Sequence, residues 1–471
     1  MKATVQRILF FIAATLPVMA PAQTYTDLFS FSSYTSVPFA TTNGAFPYCG
    51  LVLSSNVLYG TSSAGGTNGQ GVIFSLNTDG SHFTDLHTFS ALSSVYTGNN
   101  TDGAQPYDTL LLYSNQLYGT ASIGGSSGFG TIFRINTDGT LFTNLHNFTD
   151  GSGGPRGGLI VSNNVLYGTT LSGGTGDGSV FRIDTDGLNF TNLHSFTTLT
   201  NDALAPEGAL VLSGSTLYGT TSGKDNGSEG VVFSVSTGGK GYTNLFSFQT
   251  APGQGQSSTN TTGAEPYASL FLLGGRLYGT TLYGGTNGNG VIFAINTNGS
   301  GFTNLHTFGP GTTGATNVDG VSPEGQLLLV GGSLYGTAAN GGFGGYGTVF
   351  AINTNGSNFR VVYQFVEIVG PGYINLGGVG PAGGVILADN TLYGTTDAGG
   401  GYDGNIYSLN LGIPLMAQSS GGNLILNWTN TAFSLQAAPS LTGNFTNIPN
   451  ATSPYTNVPA AGQQFFRLQA N

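Results

Sequence analysis

Charged side chains are scarce in this sequence. Only 7% of its 471 residues are Asp, Glu, Lys or Arg, against roughly 25% in an average soluble domain. The ten Lys and Arg residues are scattered, and the formal net charge is −11. Proteins that bind a nucleic-acid backbone use basic side chains to displace counterions, so we expect no nucleic-acid partner.

Cysteine and cofactor motifs are almost absent as well. Cys49 is the only cysteine, which makes an internal disulfide impossible, so packing must stabilise the fold. No nucleotide, flavin or zinc motif occurs, and we expect neither a cofactor nor a metal. Helical periodicity is missing too, yet 39% of the residues are hydrophobic, which is too many for a disordered chain. These features favour an all-β protein.

The first 22 residues have the pattern of an export signal. Lys2 and Arg7 precede a short apolar run over residues 8–20, and Ala20 and Ala22 are small residues at a plausible cleavage site. The alternative is a membrane anchor, but the run is shorter than the roughly 20 residues that span a bilayer. We therefore expect a secreted, periplasmic or cell-surface protein with no transmembrane segment after cleavage, and we expect it to be a monomer.

What the sequence does contain is one phrase repeated seven times. Leu-Tyr-Gly-Thr recurs at Tyr59, Tyr118, Tyr167, Tyr218, Tyr278, Tyr335 and Tyr393. Twelve residues before each tyrosine stands a proline: Pro47, Pro106, Pro155, Pro206, Pro266, Pro323 and Pro381. Fourteen or fifteen residues after it stands an aromatic residue: Phe74, Phe133, Phe181, Phe233, Phe293, Phe350 and Tyr407. Constant spacing within a unit and variable spacing between units indicates a tandem structural repeat.

Each unit reads as four short strands, with a glycine-rich loop between the second and third. The Asp-Gly or Asn-Gly pairs before the fourth strand, such as Asp79-Gly80, predict a type I′ turn. The glycine after each repeat tyrosine leaves room for a large aromatic side chain. The seventh unit lacks its fourth strand, but residues 25–31 before the first unit have that strand's pattern. The sequence therefore predicts a seven-bladed β-propeller over residues 23–411, closed by its N-terminal strand.

The repeat resembles a known family. Its pattern, "LYGTTSxGGxxGxGxIFxINTDGxxFTNLHxF", is similar over roughly residues 24–410 to the bacterial choice-of-anchor tandem repeat called GloVer. The resemblance implies an exported repeat protein with no established activity, which often has a C-terminal anchoring segment. A weaker likeness to Kelch blades rests on the double glycine after the second strand. Unit four departs from the pattern, with "TSGKDNGSEG" in place of the Gly-Gly loop.

A different region follows the repeats. Five short apolar runs around Trp428 predict a small β-sandwich-like module over residues 412–471. It resembles the short immunoglobulin-like tails of other exported bacterial β proteins. The hydrophobic helix and basic cluster of a sorting anchor are missing from it.

Candidate binding residues gather on one predicted rim of the propeller. In antiparallel blades, the loops between strands two and three emerge on the same side as the loops between blades, and variable loops on a rigid scaffold commonly bind ligands. This rim contains Tyr48, Tyr107 and Tyr267, each directly after a repeat proline. It also collects acids, namely Asp102, Asp108, Asp150, Asp202, Glu207, Glu265, Asp319 and Glu324.

Two functions are possible for this rim. The alternative is that its loops are simply solvated and have no functional role. The first, which we favour, is a non-catalytic scaffold that binds a glycan or another surface protein through Tyr48, Tyr107, Tyr267, Asp102, Glu207, Glu265 and Glu324. The second is a polysaccharide-cleaving enzyme with a carboxylate-lined mouth, which needs two acids on either side of one bond. No motif holds such a pair, so we identify no catalytic residue.

Two further patterns favour structural roles. His87, His146, His194 and His306 share one repeat position, and a ring of blades keeps them too far apart to converge on a metal. His82 lies in a hairpin turn with no obvious partner. The "IDTDG" stretch at residues 183–187 faintly resembles a calcium loop, but other copies lack its carboxylates, which favours a hairpin turn.

Overall fold

A computed structural model of the chain describes residues 24–32, 40–94, 98–149, 153–172, 177–197, 204–223, 228–250, 259–310, 317–366, 378–399, 403–411, 416–420, 423–427, 433–439, 444–457 and 464–470. Over these residues the secondary structure is β-strand with no α-helix, and no helix suited to crossing a membrane is found in them. The chain divides into two compact units, Tyr25–Asn410 and a smaller one that contains Leu411–Asn471.

The larger unit is a seven-bladed propeller, as the sequence predicts. Its first strand, β1 (Thr24–Ser30), belongs to the last blade. Blades 1 to 3 contain β2 (Val52–Ser54), β3 (Val57–Ser62), β4 (Val72–Asn77) and β5 (Thr84–Thr88); β6 (Leu111–Tyr113), β7 (Gln116–Ala121), β8 (Thr131–Asn136) and β9 (Thr143–Asn147); and β10 (Ile160–Ser162), β11 (Val165–Thr170), β12 (Ser179–Asp184) and β13 (Thr191–Ser195).

The remaining blades follow the same plan. Blades 4 and 5 contain β14 (Val211–Ser213), β15 (Thr216–Thr221), β16 (Ser228–Ser236) and β17 (Thr243–Gln249); and β18 (Phe271–Leu273), β19 (Arg276–Thr281), β20 (Val291–Asn296) and β21 (Thr303–Thr307). Blade 6 contains β23 (Leu328–Val330), β24 (Ser333–Ala338), β26 (Thr348–Asn353) and β27 (Arg360–Gln364), with an added pair of strands, β22 (Asn317–Val321) and β25 (Asn340–Gly342). Blade 7 contains β28 (Ile386–Ala388), β29 (Thr391–Thr396) and β30 (Asn405–Asn410).

The N-terminal strand completes blade 7, whose strand order is β1-β30-β29-β28. The backbone amide of Phe31 donates to the carbonyl of Gly404 at 3.1 Å, and Asn405 Nδ2 donates to the Tyr25 hydroxyl at 2.9 Å. The Tyr25 ring stacks on Tyr363 of blade 6 with 5.0 Å between centroids. Residues far apart in sequence thus close the circle, which removes the open ends that a linear stack of sheets would leave.

The glycine of the Leu-Tyr-Gly-Thr phrase makes room for an aromatic ring, as predicted. A Cβ at Gly60 would lie 2.6 Å from Phe74 Cζ of the neighbouring strand, and one at Gly168 would lie 2.5 Å from Phe181 Cζ. Both rings are completely buried, and the same arrangement recurs in every blade. Because any side chain would collide with the ring, this glycine is required by packing.

Aromatic stacks join consecutive blades. The His87 ring in the fourth strand of blade 1 lies parallel to the Phe142 ring of blade 2, with 3.8 Å between centroids. The equivalent pairs are Phe29–Phe83, His146–Phe190, His194–Tyr242, Phe246–Phe302, His306–Phe359 and the closing pair Tyr363–Tyr25. The four repeat histidines therefore pack between blades. His82 does have partners, since its Nδ1 lies 2.9 Å from Ser81 Oγ and 3.1 Å from Asn77 Nδ2.

The predicted type I′ turns are wrong in detail. Gly80 has φ of +83°, but Asp79 before it does not adopt a positive φ. The amide of Gly80 donates to the Asn77 carbonyl, and Asp79 Oδ1 accepts from the Ser81 amide, both at 2.9 Å. These contacts describe a three-residue loop with a left-handed glycine at its end. Two-residue turns with two positive φ values lie instead between the first two strands, for example at Ser114-Asn115.

Blade 4 differs where its sequence departs from the repeat. Without the Gly-Gly loop, β16 extends to nine residues and Ser228 pairs with Gln249 of β17. The longer hairpin occupies the place that the glycine-rich loop takes in the other blades.

The smaller unit contains two three-stranded sheets. One is β31 (Met416–Ser420), β32 (Asn423–Asn427) and β35 (Tyr455–Asn457); the other is β33 (Phe433–Ala438), β34 (Thr446–Asn447) and β36 (Phe465–Ala470). Five of these six strands correspond to the predicted runs, and β31 was not predicted. Trp428, the expected centre of this module, lies outside the described residues, as do residues 1–22.

Candidate functional site

The residue before each repeat proline has an uncommon backbone conformation. In all seven blades its φ is between +56° and +69°, although five of the seven are not glycine: Phe46, Gln105, Gly154, Ala205, Glu265, Ser322 and Gly380. Such a conformation costs a non-glycine residue on the order of 1–3 kcal/mol, so surrounding contacts must hold it.

Two backbone hydrogen bonds hold each of these pre-proline residues. The amide of Gln105 donates to the Gln70 carbonyl in the preceding blade at 2.9 Å, and its carbonyl accepts from the Ser122 amide of its own blade at 3.1 Å. The same pair of bonds recurs in the other six blades. The chain is therefore clamped between the preceding blade and the residue after the second strand of its own blade, at the point where it enters the innermost strand.

The proline that follows packs against a glycine of the preceding blade. A Cβ at Gly71 would lie 2.8 Å from Pro106 Cδ. The corresponding distance is 2.8 Å or less in the six equivalent pairs, which are Gly130–Pro155, Gly178–Pro206, Gly230–Pro266, Gly290–Pro323, Gly347–Pro381 and Gly404–Pro47. This contact explains why the final loop glycine and the repeat proline both recur. Together with the clamp, it fixes the direction of the next side chain.

That next side chain lies at one end of the central channel. The seven residues that directly follow the prolines, here called the mouth residues, are Tyr48, Tyr107, Arg156, Glu207, Tyr267, Glu324 and Ala382. All seven line one cavity of about 990 Å³. Its wall is otherwise formed largely by the innermost strands, with apolar side chains such as Leu111 and Ile160. The cavity thus joins a polar, aromatic entrance to an apolar wall.

Blades 1 to 3 contribute an aromatic arc to this entrance. The Phe46 and Tyr48 rings lie 6.4 Å apart, and the Tyr48 and Tyr107 rings lie 5.9 Å apart with 36° between their planes. Arg156 Cζ lies over the Tyr107 ring at 5.1 Å from its centroid. Such a guanidinium–ring contact stabilises both groups and extends the flat surface by one more planar group.

The opposite side of Arg156 faces an acid. Arg156 Nη1 lies 3.6 Å from Glu207 Oε2, and Ser222 Oγ donates to Glu207 Oε1 at 3.1 Å. Burial raises the pKa of Glu207 above its ordinary value, while Arg156 and these hydrogen bonds oppose the rise. Burial, followed by the charges of Glu207 and Glu265, raises the pKa of Tyr267 to about 12.

A second acid pair lies near Tyr48. Burial and the neighbouring charge of Asp397 raise the pKa of Glu324 to about 7, and burial raises the pKa of Asp397 to about 7. Burial and the charges of Asp397, Tyr107 and Glu324 raise the pKa of Tyr48 to about 12. No basic side chain contributes to these shifts, in contrast to Glu207. Around neutral pH this pair is therefore only partly ionised.

Asp108 also lines the cavity, but it connects two blades. Its carboxylate accepts from the Thr109 amide at 2.5 Å and from the Gly158 amide of blade 3. Burial raises its pKa to about 6. With both oxygens engaged by backbone amides, Asp108 serves mainly to hold blade 2 against blade 3.

The structure separates the predicted rim residues into groups. Tyr48, Tyr107, Tyr267, Glu207 and Glu324 line the cavity together. Glu265 is the clamped residue before Pro266 and does not line the cavity, although its charge acts on Tyr267. Asp150 and Asp202 lie outside the described residues.

Asp102 has a local role in the fold. It is 9% exposed, and its Oδ2 lies 2.9 Å from His87 Nε2 and 3.1 Å from the Ser90 amide. Burial alone would raise its pKa, but the hydrogen bonds from His87 and Ser90 lower it. Asp319 makes the equivalent contact, with its Oδ2 at 3.1 Å from His306 Nε2. Both acids thus anchor the chain after the fourth strand.

Sequence reasoning missed Arg156, Ala382 and Asp397. Arg156 and Ala382 were detectable, because they occupy the same post-proline position as the three tyrosines. Asp397 comes from the loop after β29, and only the folded chain brings it to Glu324. In the described ranges, no group of three or more His, Cys, Asp or Glu residues could hold a metal ion.

Known proteins resemble this chain to different degrees. No curated protein matches the chain. An oligogalacturonate lyase from Vibrio parahaemolyticus is similar at TM-score 0.46 and 11% identity, covering 83% of this chain and 93% of that one. An oligogalacturonate lyase in complex with manganese gives 0.46 and 10%, covering 82% and 92%. A nidogen/laminin complex gives 0.36 and 15%, covering 63% and 86%.

The repeat itself identifies the family. The model of the Gloeobacter/Verrucomicrobia repeat matches residues 90–261 and 251–422, which together make up more than half of the chain. The chain therefore belongs to the Gloeobacter/Verrucomicrobia repeat family and is a repeat scaffold.

Proposed function

We propose that this chain is an exported, non-catalytic binding protein whose ligand occupies the mouth of the propeller channel. One observation carries the proposal. Seven equivalent positions, held by the same backbone clamp, carry three tyrosines, one arginine, two glutamates and one alanine. A purely structural scaffold does not require different residues at equivalent positions of a solvent-facing cavity. Recognition of an asymmetric ligand does require them.

The chemistry of the mouth suits a ligand with both apolar faces and hydroxyl groups. The rings of Tyr48 and Tyr107 offer faces on which a flat apolar surface can lie. Glu207, Glu324 and the tyrosine hydroxyls offer hydrogen-bond partners close to those faces. Sugar rings combine these two properties, so a glycan is the ligand class that we favour over a partner protein.

The proposal is tested by screening the full chain against an array of glycans and of extracellular bacterial proteins. The key variant carries Tyr48→Ala, Tyr107→Ala and Tyr267→Ala. Tyr113→Ala is the matched control, because Tyr113 does not line the cavity and its hydroxyl donates to Asn164 at 2.8 Å. We expect the control to keep the binding and the triple variant to lose it. Binding that survives in the triple variant would contradict the proposal.

A glycan-cleaving enzyme is the second candidate, and the pKa values of about 7 for Glu324 and Asp397 favour it, since a group with such a pKa can exchange protons at neutral pH. Release of new chain ends from a bound polysaccharide, lost in Glu324→Gln, would support cleavage. Binding without any turnover would leave the scaffold function.

A further inference from the structure

Over the residues that the structure describes, the mouth is lower on one side than on the others. Six of its seven residues have large side chains, but Ala382 of blade 7 does not, and the next two residues are Gly383 and Gly384. The gap lies between Glu324 of blade 6 and Tyr48 of blade 1, its neighbours around the circle. A ligand longer than the cavity can therefore leave the mouth most easily across blade 7.

The backbone around this gap is fixed. The Ala382 amide donates to the Gly380 carbonyl at 2.8 Å, and Thr337 Oγ1 of blade 6 donates to the Gly383 carbonyl at 3.0 Å. A Cβ at Gly384 would lie 3.0 Å from the Gln326 carbonyl oxygen. The backbone on the low side of the mouth is thus held in place by the neighbouring blade. The small side chain of Ala382 leaves this side of the mouth low.

The aromatic arc begins at this gap. A chain that enters over Ala382 meets the Tyr48 ring first and the Tyr107 ring next, with 5.9 Å between the two centroids. Beyond them the Arg156 guanidinium continues the same surface. Successive flat groups of this kind suit a ligand made of successive rings better than a single sugar.

Charge around the gap selects against acidic ligands. The charge of Asp397 acts on Glu324, and both charges act on Tyr48. Among the described residues, no basic side chain pairs with these two acids. Across the cavity, Arg156 is already engaged by Glu207. An anionic chain would place its charge beside two carboxyl groups that are partly ionised at neutral pH, which is unfavourable and becomes more so as the pH rises above about 7.

Resting on the proposed function, we propose that the ligand is an oligosaccharide chain without acidic groups, which lies on Tyr48 and Tyr107 and leaves the mouth over Ala382. The position of Ala382 then determines specificity for chain length. A single sugar needs only the tyrosines, whereas a longer chain also needs the gap.

The test compares Ala382→Leu with the wild-type chain and with Ala91→Leu as a matched control, because Ala91 is exposed and does not line the cavity. The probes are neutral cello-, manno- and xylo-oligosaccharides of one to six units and oligogalacturonates of the same lengths, measured by calorimetry. In the wild type, we expect affinity for the neutral series to rise by about tenfold or more from one unit to four. Ala382→Leu should lose that gain and keep single-unit binding within about twofold, while Ala91→Leu keeps both.

Several outcomes would overturn the inference. A gain with chain length that persists in Ala382→Leu would show that the chain does not cross the gap. Acidic chains that bind as tightly as neutral ones would remove the charge argument. If none of these sugars binds but another array ligand is lost in the triple tyrosine variant, the inference falls and the proposed function stands. If the triple variant loses nothing, both fall.

Discussion

The contacts between blades and the mouth of the channel follow opposite rules. Between blades, the same glycine, proline and aromatic positions recur around the circle, and the structure uses them for the same contacts each time. At the mouth, one residue further along the chain, seven equivalent positions hold four different residue types. The comparison teaches that the repeated residues form the contacts between blades. The side chains that take no part in those contacts differ from blade to blade.

The closing junction differs from the other six in one respect. It joins the two ends of the propeller, and its stacked rings, Tyr25 and Tyr363, lie 5.0 Å apart, whereas Phe29 and Phe83 lie 3.8 Å apart at the next junction. The Tyr25 ring also contacts Phe365 and Tyr407. The equivalent ring at the other junctions makes the same two contacts, as Phe83 does with Phe31 and Phe74, so the closing junction differs only in its wider stack.

The largest expected effect comes from removing that closure. A chain that begins at residue 32 loses the contacts of the buried Phe31 and of the partly buried Leu28 and Phe29. We expect a loss of about 3–6 kcal/mol in the free energy of unfolding, since a fully buried side chain of this kind contributes about 1.5–3 kcal/mol. Thermal denaturation measures it. A synthetic peptide of residues 24–31 should restore stability, and a scrambled peptide should not. Unchanged melting would refute closure by β1.

The next largest effect tests the packing between strands. In Gly168→Ala, the new Cβ would collide with the buried Phe181 ring, and we expect a loss of about 1–3 kcal/mol. Gly238→Ala is the matched control, because its Cβ would have only Ser236 Oγ nearby, at 3.9 Å. The control should stay within about 0.5 kcal/mol of the wild type in chemical denaturation. Equal losses in both variants would mean that glycine matters for chain flexibility rather than for packing.

A smaller effect concerns how stability depends on pH, which should differ between an acid of the mouth and an acid that holds the blades in place. The folded chain raises the pKa of Glu324 to about 7, so its ionised form destabilises the fold. The penalty is absent below the ordinary pKa of glutamate, grows as the pH rises from that value to about 7, and is complete above about 7. Glu324→Gln should therefore increase stability by about 1–2 kcal/mol at pH 8 and leave it unchanged at pH 4.

The contrary result for Glu324→Gln would be a loss of stability at pH 8. It would indicate that the carboxylate is engaged in the fold, as Asp102 is, and would exclude it from the mouth chemistry. Asp102→Asn is the useful comparison, because the pKa of Asp102 is lowered and its stabilising contribution is present at pH 8 and lost in acid.

The smallest effect concerns one stack between blades. A double-mutant cycle of Phe246→Leu and Phe302→Leu should give a coupling energy of about 0.5–1.5 kcal/mol, because the two rings lie parallel at 3.9 Å. A cycle of Phe246→Leu with Phe190→Leu, which belongs to another junction, should give about zero. Similar coupling in both cycles would mean that the blades unfold as one unit without specific stacks.

Much of the fold was predictable because the repeat constrains it seven times. The spacing of tyrosine, proline and aromatic residues predicts seven units, and the missing last strand predicts closure by residues 25–31. The turn type was wrong at Asp79-Gly80, since a dipeptide preference does not decide between a two-residue and a three-residue loop. The strands β22 and β25 were missed because their pairing is short, and the equivalent contact in other blades is only an isolated bridge, such as Ala45–Ala64. The strand β31 lies outside the repeats.

By itself, the sequence determined the module, its number and the glycine beneath each aromatic ring, because these depend on local spacing. Only the tertiary structure decided which rim residues share a cavity. In the folded chain Asp102 contacts His87, Asp397 lies close enough to Glu324 to act on its charge, and Arg156 lies over the Tyr107 ring. The physical reason is that these neighbours come from different loops or blades, and only closure of the circle sets the distances between them.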